Sequence, residues 1–242
     1  MSAAAHGVPD AGEHQDSPLT LPELKLWRSA QRRHLIAQRL AVPDPLRRVW
    51  REQIDANLLK AFPDLHQGVV ALCWPIQGEY DARHLATRLR DRGALTALPV
   101  VVAPRTPLVF RHWQPGVAMR RGPMGIAEPF DAPEVTPNTV LLPVNGWDEA
   151  GYRLGYGAGF FDRTLAALSR RPRVIGVGYE MGRLATIHPQ SWDMPLDAVA
   201  TERGVLFWAR RPIDNLSSPE PWGTDDGRRT TSTQLRLSEE SD

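Results

Sequence analysis

The sequence predicts an α/β fold in three layers: a mostly parallel, twisted, Rossmann-like sheet with helices on both faces, formed as a single domain. Three observations support this prediction. Short apolar segments alternate with amphipathic segments after residue 68, which indicates strands joined by crossover helices. Several apolar segments are continuous rather than alternating, as is typical of strands buried on both faces. The chain has 242 residues, a length that one α/β domain can use before it splits.

Two amphipathic helices precede the sheet. Segments 21–41 and 45–62 repeat apolar residues at helical spacing, so one face of each helix can pack against the sheet. The repeating residues are Leu24, Trp27, Leu35 and Leu40 in the first segment and Leu46, Trp50, Ile54 and Leu58 in the second.

A βαβ unit follows these helices. Segment 69–74 predicts a strand, segment 81–93 a helix and segment 97–103 a second strand. Asp81 is placed to cap the helix and Gly93 to end it.

The rest of the chain continues the alternation and ends in a tail. Segment 114–138 is rich in proline and glycine and predicts a long connecting loop. Residues 1–19 and 213–242 lack the periodic apolar pattern of a packed element, so we expect mobile tails on either side of a domain at 20–212. The other predicted elements are strands at 107–113, 139–144, 173–179 and 204–210 and a helix at 160–171.

The composition argues against several classes of protein. Lys and Arg number 29 and Asp and Glu 28, so little net charge is available to attract nucleic acid. Cys73 is the only cysteine, which excludes an internal disulfide, and its apolar setting predicts a buried, inert thiol. No segment has the pattern of a secretory signal or the apolar length of a membrane span. We therefore expect a cytoplasmic monomer that binds neither nucleic acid nor a membrane.

The stretch GYRLGYGAGFFDRTLAAL at 151–168 is the strongest functional signal. Gly155, Gly157 and Gly159 have no side chains to obstruct a ligand and can adopt positive φ, so successive N–H groups can converge on an anion. The following helix adds the positive end of its dipole. Arg153 can neutralise phosphate charge, and Asp162 can hold Mg²⁺ beside phosphate oxygens. The pattern predicts a nucleotide phosphate cradle.

The glycine pattern is also compatible with a purely structural turn. It does not match either of two familiar nucleotide-binding motifs. A tight turn with a purely stabilising aspartate stays open as an alternative. A dinucleotide-binding fingerprint is excluded because it needs glycine where Phe160 stands. A Walker P-loop is excluded because it needs Lys followed by Ser or Thr at the positions of Phe160 and Phe161.

This stretch closely resembles the signature of the 5-formyltetrahydrofolate cyclo-ligase family, which reads Arg-Leu-Gly-x-Gly-x-Gly-Tyr-Tyr-Asp. Four further motifs follow the family order: PIQGEYD, LPVV, MGIAEP and WDMPLDAVATE. A basic pair in the first helix also fits. The resemblance covers about Trp27 to Val205, which is nearly all of the predicted domain.

The resemblance implies an enzyme that uses ATP and Mg²⁺ to convert 5-formyltetrahydrofolate into 5,10-methenyltetrahydrofolate, with release of ADP and phosphate. It implies catalytic roles for Arg153 and Arg32, folate contacts for Trp74, Glu79, Tyr156 and Phe160, and Mg²⁺ ligands at Asp162 and Asp197. The implied ATP-binding residues are Arg28, Arg32, Arg153, Leu154, Gly155, Tyr156, Gly157, Ala158, Gly159, Phe160 and Phe161. Arg28 and Arg32 are one helical turn apart, so their side chains point the same way.

Phosphoryl transfer makes these residue types appropriate. The formyl oxygen would attack the γ-phosphate, and N10 would then displace the phosphate from the activated carbon. Such chemistry needs positioning and charge neutralisation more than a protein nucleophile.

The chain departs from the family pattern at several positions. Phe160 and Phe161 replace two tyrosines and cannot donate a hydroxyl hydrogen bond. Arg28 replaces a lysine, Gly182 a glutamine and Trp192 a histidine. These differences keep a second function open: a catalytically weak paralogue that binds folate or nucleotide in a regulatory role. A sugar-phosphate isomerase or CoA-transferase-like enzyme is a third, but it lacks a candidate base.

Several of these site residues are also compatible with a purely structural role. Arg28 and Arg32 can form a solvated helix face, and Trp74 can belong to the core. Glu79 can cap the next helix, and Asp197 can make a turn. His84, His112 and His188 lack the spacing of a metal site, so we expect them to be ordinary surface or core residues.

Overall fold

The computed structural model describes residues 19–209. The predicted tails at 1–19 and 213–242 lie outside the described residues, except for residue 19, and so do residues 210–212 of the predicted domain. The described part confirms the predicted single α/β domain. Its strands, in chain order, are β1 (Val69–Ala71), β2 (Leu95–Val100), β3 (Val109–His112), β4 (Met119–Arg121), β5 (Ala127–Pro129), β6 (Thr139–Pro143), β7 (Gly146–Asp148), β8 (Arg153–Leu154), β9 (Arg173–Val177), β10 (Arg183–Leu184), β11 (Ala198–Thr201) and β12 (Gly204–Phe207).

The main sheet has seven strands in the order β12-β11-β9-β6-β1-β2-β3. The strands from β11 to β2 pair in parallel, whereas β12 and β3 pair antiparallel at the two edges. The mostly parallel sheet is therefore confirmed. Two smaller sheets accompany it: β4 with β5, and β7 between β8 and β10.

The four α-helices of residues 19–209 are α1 (Leu21–Ala41), α2 (Asp44–Ala61), α3 (Arg83–Arg90) and α4 (Phe160–Ala167). Helix α1 begins with a capping box, in which the Glu23 carboxylate accepts the Thr20 N–H at 2.8 Å. Such a pair satisfies donors that the first helical turn leaves open. The Asp81 carboxylate accepts the Arg83 N–H at the start of α3, and Gly93, at φ +98°, follows its end.

Helices cover both faces of the main sheet, as predicted. On one face, Ile54 and Leu58 of α2 and Leu85 and Leu89 of α3 belong to one buried apolar cluster. On the other face, Leu165 of α4 belongs to a second cluster. Each fully buried aliphatic side chain contributes about 1.5–3 kcal/mol relative to an exposed one.

Several predicted boundaries were wrong. Helix α4 ends at Ala167 rather than at residue 171, because the chain turns extended at Leu168. Strand β1 stops at Ala71 rather than at residue 74. The predicted loop at 114–138 contains the β4–β5 hairpin.

Strand β11 was missed, although it lies inside the main sheet. It is four residues long and lies between polar residues, so its apolar pattern is too short to predict a strand. Cys73 follows β1 and is partly rather than fully buried; burial of the thiol raises its pKa, and its inert role stays a prediction.

Candidate active site

The glycine turn lies at the edge of the main sheet where the parallel strands end. The chain leaves β6 at Pro143, passes through β7 and β8, and then forms the turn that enters α4. Tyr156 in the turn contacts Glu79, which follows β1. In open parallel sheets this edge is where ligands bind, because loops from neighbouring strands meet there.

The backbone of the glycine turn requires glycine at specific positions. Gly157 has φ +93° and Gly159, directly before α4, has φ +64°. A Cβ on Gly157 would lie 3.0 Å from Nη2 of Arg32, whereas a Cβ on Gly155 would meet no atom within 4 Å. Gly157 therefore combines positive φ with a close approach to an arginine.

The backbone N–H groups of this turn are open to a ligand. Among residues 19–209, the N–H groups of residues 156–159 donate no hydrogen bond. The first N–H groups of α4 also have no partner inside the helix, because its first intrahelical acceptor is the Gly159 carbonyl, bonded to the Arg163 N–H. Unsatisfied N–H groups at a helix start attract anions.

Arg32 places a positive charge against these amides. Its Nε donates to the Gly155 carbonyl at 2.7 Å, and its guanidinium contacts Gly157. Burial, helped by the nearby Arg28, lowers the pKa of the Arg32 guanidinium. No carboxylate in the described part of the chain forms an ion pair with Arg32. A partly buried cation beside open amides is the chemistry of an anion site.

Arg28 lies in a different environment, although it projects from the same helix. It forms an ion pair with Asp193 at 2.6 Å and donates to the carbonyls of Ile187 and His188 at 3.1 and 2.9 Å. Asp193 thus already neutralises the Arg28 charge. Because Arg28 and Arg32 are both half-buried and bonded to distant segments, they do not form a solvated helix face.

Arg153 and Asp162 contact each other directly. Arg153 is 6% exposed and donates to Asp162 Oδ1 at 2.8 Å and to the Met194 carbonyl at 2.8 Å. Asp162 Oδ1 also accepts the Met194 N–H at 3.0 Å. Arg153 therefore orients Asp162 and holds the segment around Met194 against the start of α4.

Asp162 has the chemistry to bind a hard cation as that cation's single protein ligand. Its Oδ2 makes no hydrogen bond or ion pair with residues 19–209, and it lies in the first turn of α4 beside the open amides. No group of three or more His, Cys, Asp or Glu side chains in that part of the chain could hold a metal ion. Mg²⁺ commonly binds with one or two carboxylates and completes its shell with phosphate and water oxygens.

Asp197 lies apart from this arrangement, next to the residues where the strands begin. Its Oδ2 accepts the Val174 N–H at 2.7 Å, and its Oδ1 lies 3.5 Å from Arg171 Nη2. Asp197 directly precedes β11, and these contacts join β9 to β11 rather than making the turn considered from sequence. The structure therefore gives Asp162 and Asp197 different partners.

Two predicted folate-contacting residues, Trp74 and Glu79, lie in the loop after β1, and a third, Tyr156, reaches it. Trp74 packs half-buried beside Trp113, with ring centroids 6.1 Å apart, and carries the Arg83 guanidinium 4.5 Å from its ring centre. Glu79 accepts the Tyr156 hydroxyl at 2.7 Å and the Ile76 N–H at 3.0 Å. Glu79 does not cap α3, whose N-cap residue is Ala82 rather than the predicted Asp81.

The remaining predicted ATP-binding residues have mixed surroundings. The Leu154 side chain is buried with Leu35, so only its backbone is available to a ligand. Phe161 packs partly against the core, and Phe160 lies under the Arg163 guanidinium, 5.4 Å away. The Ala158 carbonyl accepts a hydrogen bond from the Arg163 side chain.

Two residues of the site were missed from the sequence. Arg39 is 4% exposed and donates to the Tyr156 hydroxyl and to Asn145, which is itself buried. The seven-residue spacing from Arg32, two turns along one helix face, is a signal that could have found Arg39. Asn145 follows a buried strand and carried no such signal.

The backbone around Asn145 also accounts for Gly182, where the family usually has glutamine. A Cβ on Gly182 would lie 2.9 Å from the Asn145 carbonyl oxygen. This backbone therefore leaves little room for a side chain at residue 182.

A separate cavity of about 720 Å³ lies at the opposite edge, where β1, β6 and β9 begin. Arg171 and Arg173 line it, but each has an acidic partner. Arg173 makes two hydrogen bonds to Asp64, at 3.0 and 2.8 Å. The charges of these two arginines are therefore compensated, in contrast to that of Arg32, whereas Arg170, which also lines the cavity, forms no ion pair with residues 19–209.

Fold and site together define the class: an α/β protein with open amides and an arginine beyond the carboxyl ends of its parallel strands. The chain belongs to the 5-formyltetrahydrofolate cyclo-ligase family, whose model matches residues 24–202. This match confirms the resemblance seen in the sequence. The isomerase and CoA-transferase alternatives are set aside by it.

Relatives of known name agree with the family. The chain is 28% identical over 182 residues to 5-formyltetrahydrofolate cyclo-ligase from Escherichia coli (strain K12), covering 72% of this chain and 100% of that protein. It is 28% identical over 193 residues to the enzyme of the same name from Mycolicibacterium smegmatis, covering 74% and 96%.

A solved structure agrees as well. The NMR structure of Aquifex aeolicus 5,10-methenyltetrahydrofolate synthetase superposes with a TM-score of 0.65 at 27% identity, covering 80% of this chain and 99% of that one. Among the helices of residues 19–209, none is both long and apolar enough to cross a membrane.

We predict that Gly157→Ala destabilises the protein by at least about 1 kcal/mol, because alanine resists positive φ and its Cβ crowds Arg32. Gly155→Ala is the matched control, since its added methyl meets open space, and we expect a change within about 0.5 kcal/mol. Urea denaturation of both variants measures the difference. Equal stabilities would contradict the strained geometry at Gly157.

A second prediction concerns Glu79, whose pKa is raised by burial against the opposing effects of the Ile76 amide, the Tyr156 hydroxyl and Arg39. The folded state then binds the Glu79 proton more tightly than the unfolded state, so this group's contribution to stability falls as pH rises above its ordinary pKa of 4.5. Glu79→Gln removes that loss.

The free energy of unfolding of Glu79→Gln, relative to wild type, should therefore increase between about pH 4 and about pH 7. Denaturation at several pH values follows this difference. A difference that stays constant, or that decreases with pH, means that burial does not raise the pKa of Glu79.

Proposed function

We propose that the protein catalyses the ATP-dependent cyclisation of 5-formyltetrahydrofolate to 5,10-methenyltetrahydrofolate, with release of ADP and phosphate. The observation that carries this proposal is the Arg32 guanidinium, which lacks a carboxylate partner among residues 19–209 and lies against a turn of open amides. A catalytically weak paralogue is not favoured, because the cyclo-ligase match extends over the full length of the Escherichia coli enzyme.

The reaction needs an activated leaving group because a formamide carbonyl is a poor electrophile. The formyl oxygen attacks the γ-phosphorus, and the bond from that phosphorus to the bridging oxygen of ADP breaks. N10 then attacks the formyl carbon and loses its proton, and the carbon–oxygen bond breaks to release phosphate. The second step is intramolecular, so holding the folate bent is itself a catalytic contribution.

In this proposal the glycine turn and Arg32 bind the phosphates of ATP. The amides of residues 156–159 and of the first turn of α4 supply directional donors, and Arg32 supplies charge. Arg28, with its charge neutralised by Asp193, supports the segment at 187–193 and lies beside Arg32. Arg153 acts by orienting Asp162 at 2.8 Å.

Asp162 is the residue that we propose to hold Mg²⁺. When bound there, Mg²⁺ would neutralise negative charge that develops on the phosphate oxygens. Arg153 keeps the carboxylate of Asp162 in place beside the amides. The assignment of Asp197 as a second ligand stays a prediction from the family pattern.

Glu79, Tyr156 and Trp74 form the proposed folate side of the site. A buried carboxylate can accept the N–H donors of a pterin ring, and the half-buried Trp74 ring offers an apolar face. Phe160 is proposed to stack on a ring without donating a hydrogen bond. The cytoplasmic location, the monomeric state and the lack of nucleic-acid partners stay predictions from the sequence.

The test is to incubate the protein with ATP, Mg²⁺ and 5-formyltetrahydrofolate and to follow the methenyl absorbance together with ADP release. We predict turnover by the wild type and a loss of kcat/KM for ATP of about 100-fold or more in Arg32→Gln, because one charged donor to the transferring phosphate is removed. Arg33→Gln is the matched control: Arg33 is exposed on the same helix, and we expect unchanged kinetics.

Each outcome has a distinct meaning. Absence of both methenyl product and ADP contradicts the proposed activity, and binding without product supports the regulatory paralogue instead. Wild-type kinetics in Arg32→Gln contradict the phosphate role of Arg32 even if the enzyme is active.

A further inference from the structure

Arg39, in the last turn of α1, joins three loops of the site. Its Nε donates to the Gln77 carbonyl at 2.9 Å, Nη1 to Asn145 Oδ1 at 3.0 Å and Nη2 to the Tyr156 hydroxyl at 3.1 Å. Gln77 follows β1, Asn145 follows β6 and Tyr156 lies in the glycine turn. One buried side chain thus fixes the relative positions of the loops that carry the proposed folate and ATP sites.

The functional groups in this network determine which atom donates and which accepts in each hydrogen bond. A guanidinium only donates, so the Tyr156 oxygen must accept from Arg39. The single hydroxyl hydrogen of Tyr156 is then available for Glu79 Oε1, 2.7 Å away. Glu79 Oε2 is held by the Ile76 N–H at 3.0 Å. Arg39 therefore orients the Glu79 carboxylate through Tyr156, without contacting Glu79 by a hydrogen bond.

Stability alone does not explain this arginine. Arg39 forms no ion pair with any carboxylate of residues 19–209, and its three acceptors are neutral. The Glu79 carboxylate is close enough for Arg39 to oppose the rise in its pKa, but it forms no direct ion pair with Arg39. Burying a charge without a direct ion-pair partner costs free energy, and apolar replacements of buried charges are often as stable or more so. What the guanidinium provides here is a fixed geometry for three separate acceptors.

We propose that Arg39 is a positioning residue for the cyclisation: it contacts neither substrate and holds the Tyr156 hydroxyl, and through it the Glu79 carboxylate, in the orientation that binds the folate. This inference rests on the proposed function. It predicts that loss of Arg39 affects the folate and not ATP, because Arg39 bonds to the Tyr156 hydroxyl and not to the backbone of the glycine turn, which Arg32 still holds at the Gly155 carbonyl.

The experiment is a double-mutant cycle with Arg39→Lys and Tyr156→Phe. A lysine cannot reach all three acceptors with one ammonium group, and phenylalanine removes only the shared hydroxyl. We expect each single variant to raise KM for 5-formyltetrahydrofolate about tenfold, while KM for ATP stays within about twofold. Because both changes break one chain of hydrogen bonds, the double variant should also stay near tenfold.

Arg173→Lys is the matched control, since it makes the same substitution at an arginine with two side-chain hydrogen bonds, both to Asp64, at the opposite edge of the sheet. We expect it to leave both KM values unchanged. A double variant whose KM rises about 100-fold, the product of two independent effects, overturns the proposal. So does an equal rise in KM for both substrates.

Failure of the two proposals can be distinguished. If Arg39→Lys does not fold, Tyr156→Phe decides alone, because the Tyr156 ring is partly exposed and its hydroxyl is all that is lost. An unchanged folate KM in Tyr156→Phe overturns the positioning role while the wild type remains active. A wild-type protein without turnover overturns the proposed function and, with it, this role.

Discussion

The site depends on one electrostatic arrangement: the Arg32 guanidinium lies against Gly157 with no carboxylate of residues 19–209 to neutralise it. The turn can adopt this geometry only because Gly157 has positive φ and no Cβ. Nearby arginines behave differently, since Arg28 and Arg153 each have an aspartate partner. The described fold thus leaves the Arg32 charge beside a row of open amides, where an anionic ligand can bind, while the charges of Arg28 and Arg153 maintain the shape around them.

Tyr156 links the two halves of the site. Its backbone belongs to the glycine turn, while its hydroxyl reaches Glu79 in the loop after β1. Burial and the nearby Glu79 both raise the pKa of the Tyr156 hydroxyl, so it keeps its proton and can donate it to the carboxylate. The same residue therefore contributes an amide to the proposed phosphate site and a hydrogen bond to the proposed folate site.

Residue type and local pattern were sufficient to predict part of this structure. Helix α1 coincides with the predicted segment 21–41, because its apolar spacing and capping residues are local. The glycine turn was likewise predicted, since its backbone needs glycine. The ion pair of Arg28 with Asp193 and the bonds of Arg39 to Asn145 and Tyr156 were not, because they join segments more than 100 residues apart and arise only from the packed fold.

A crystal structure of the protein with a non-hydrolysable ATP analogue and Mg²⁺ would test the phosphate site directly. We expect phosphate oxygens within about 3.2 Å of the amide nitrogens of residues 156–159 and of the Arg32 guanidinium. A triphosphate bound instead in the cavity where β1, β6 and β9 begin, with the amides of the glycine turn out of contact, would contradict this assignment.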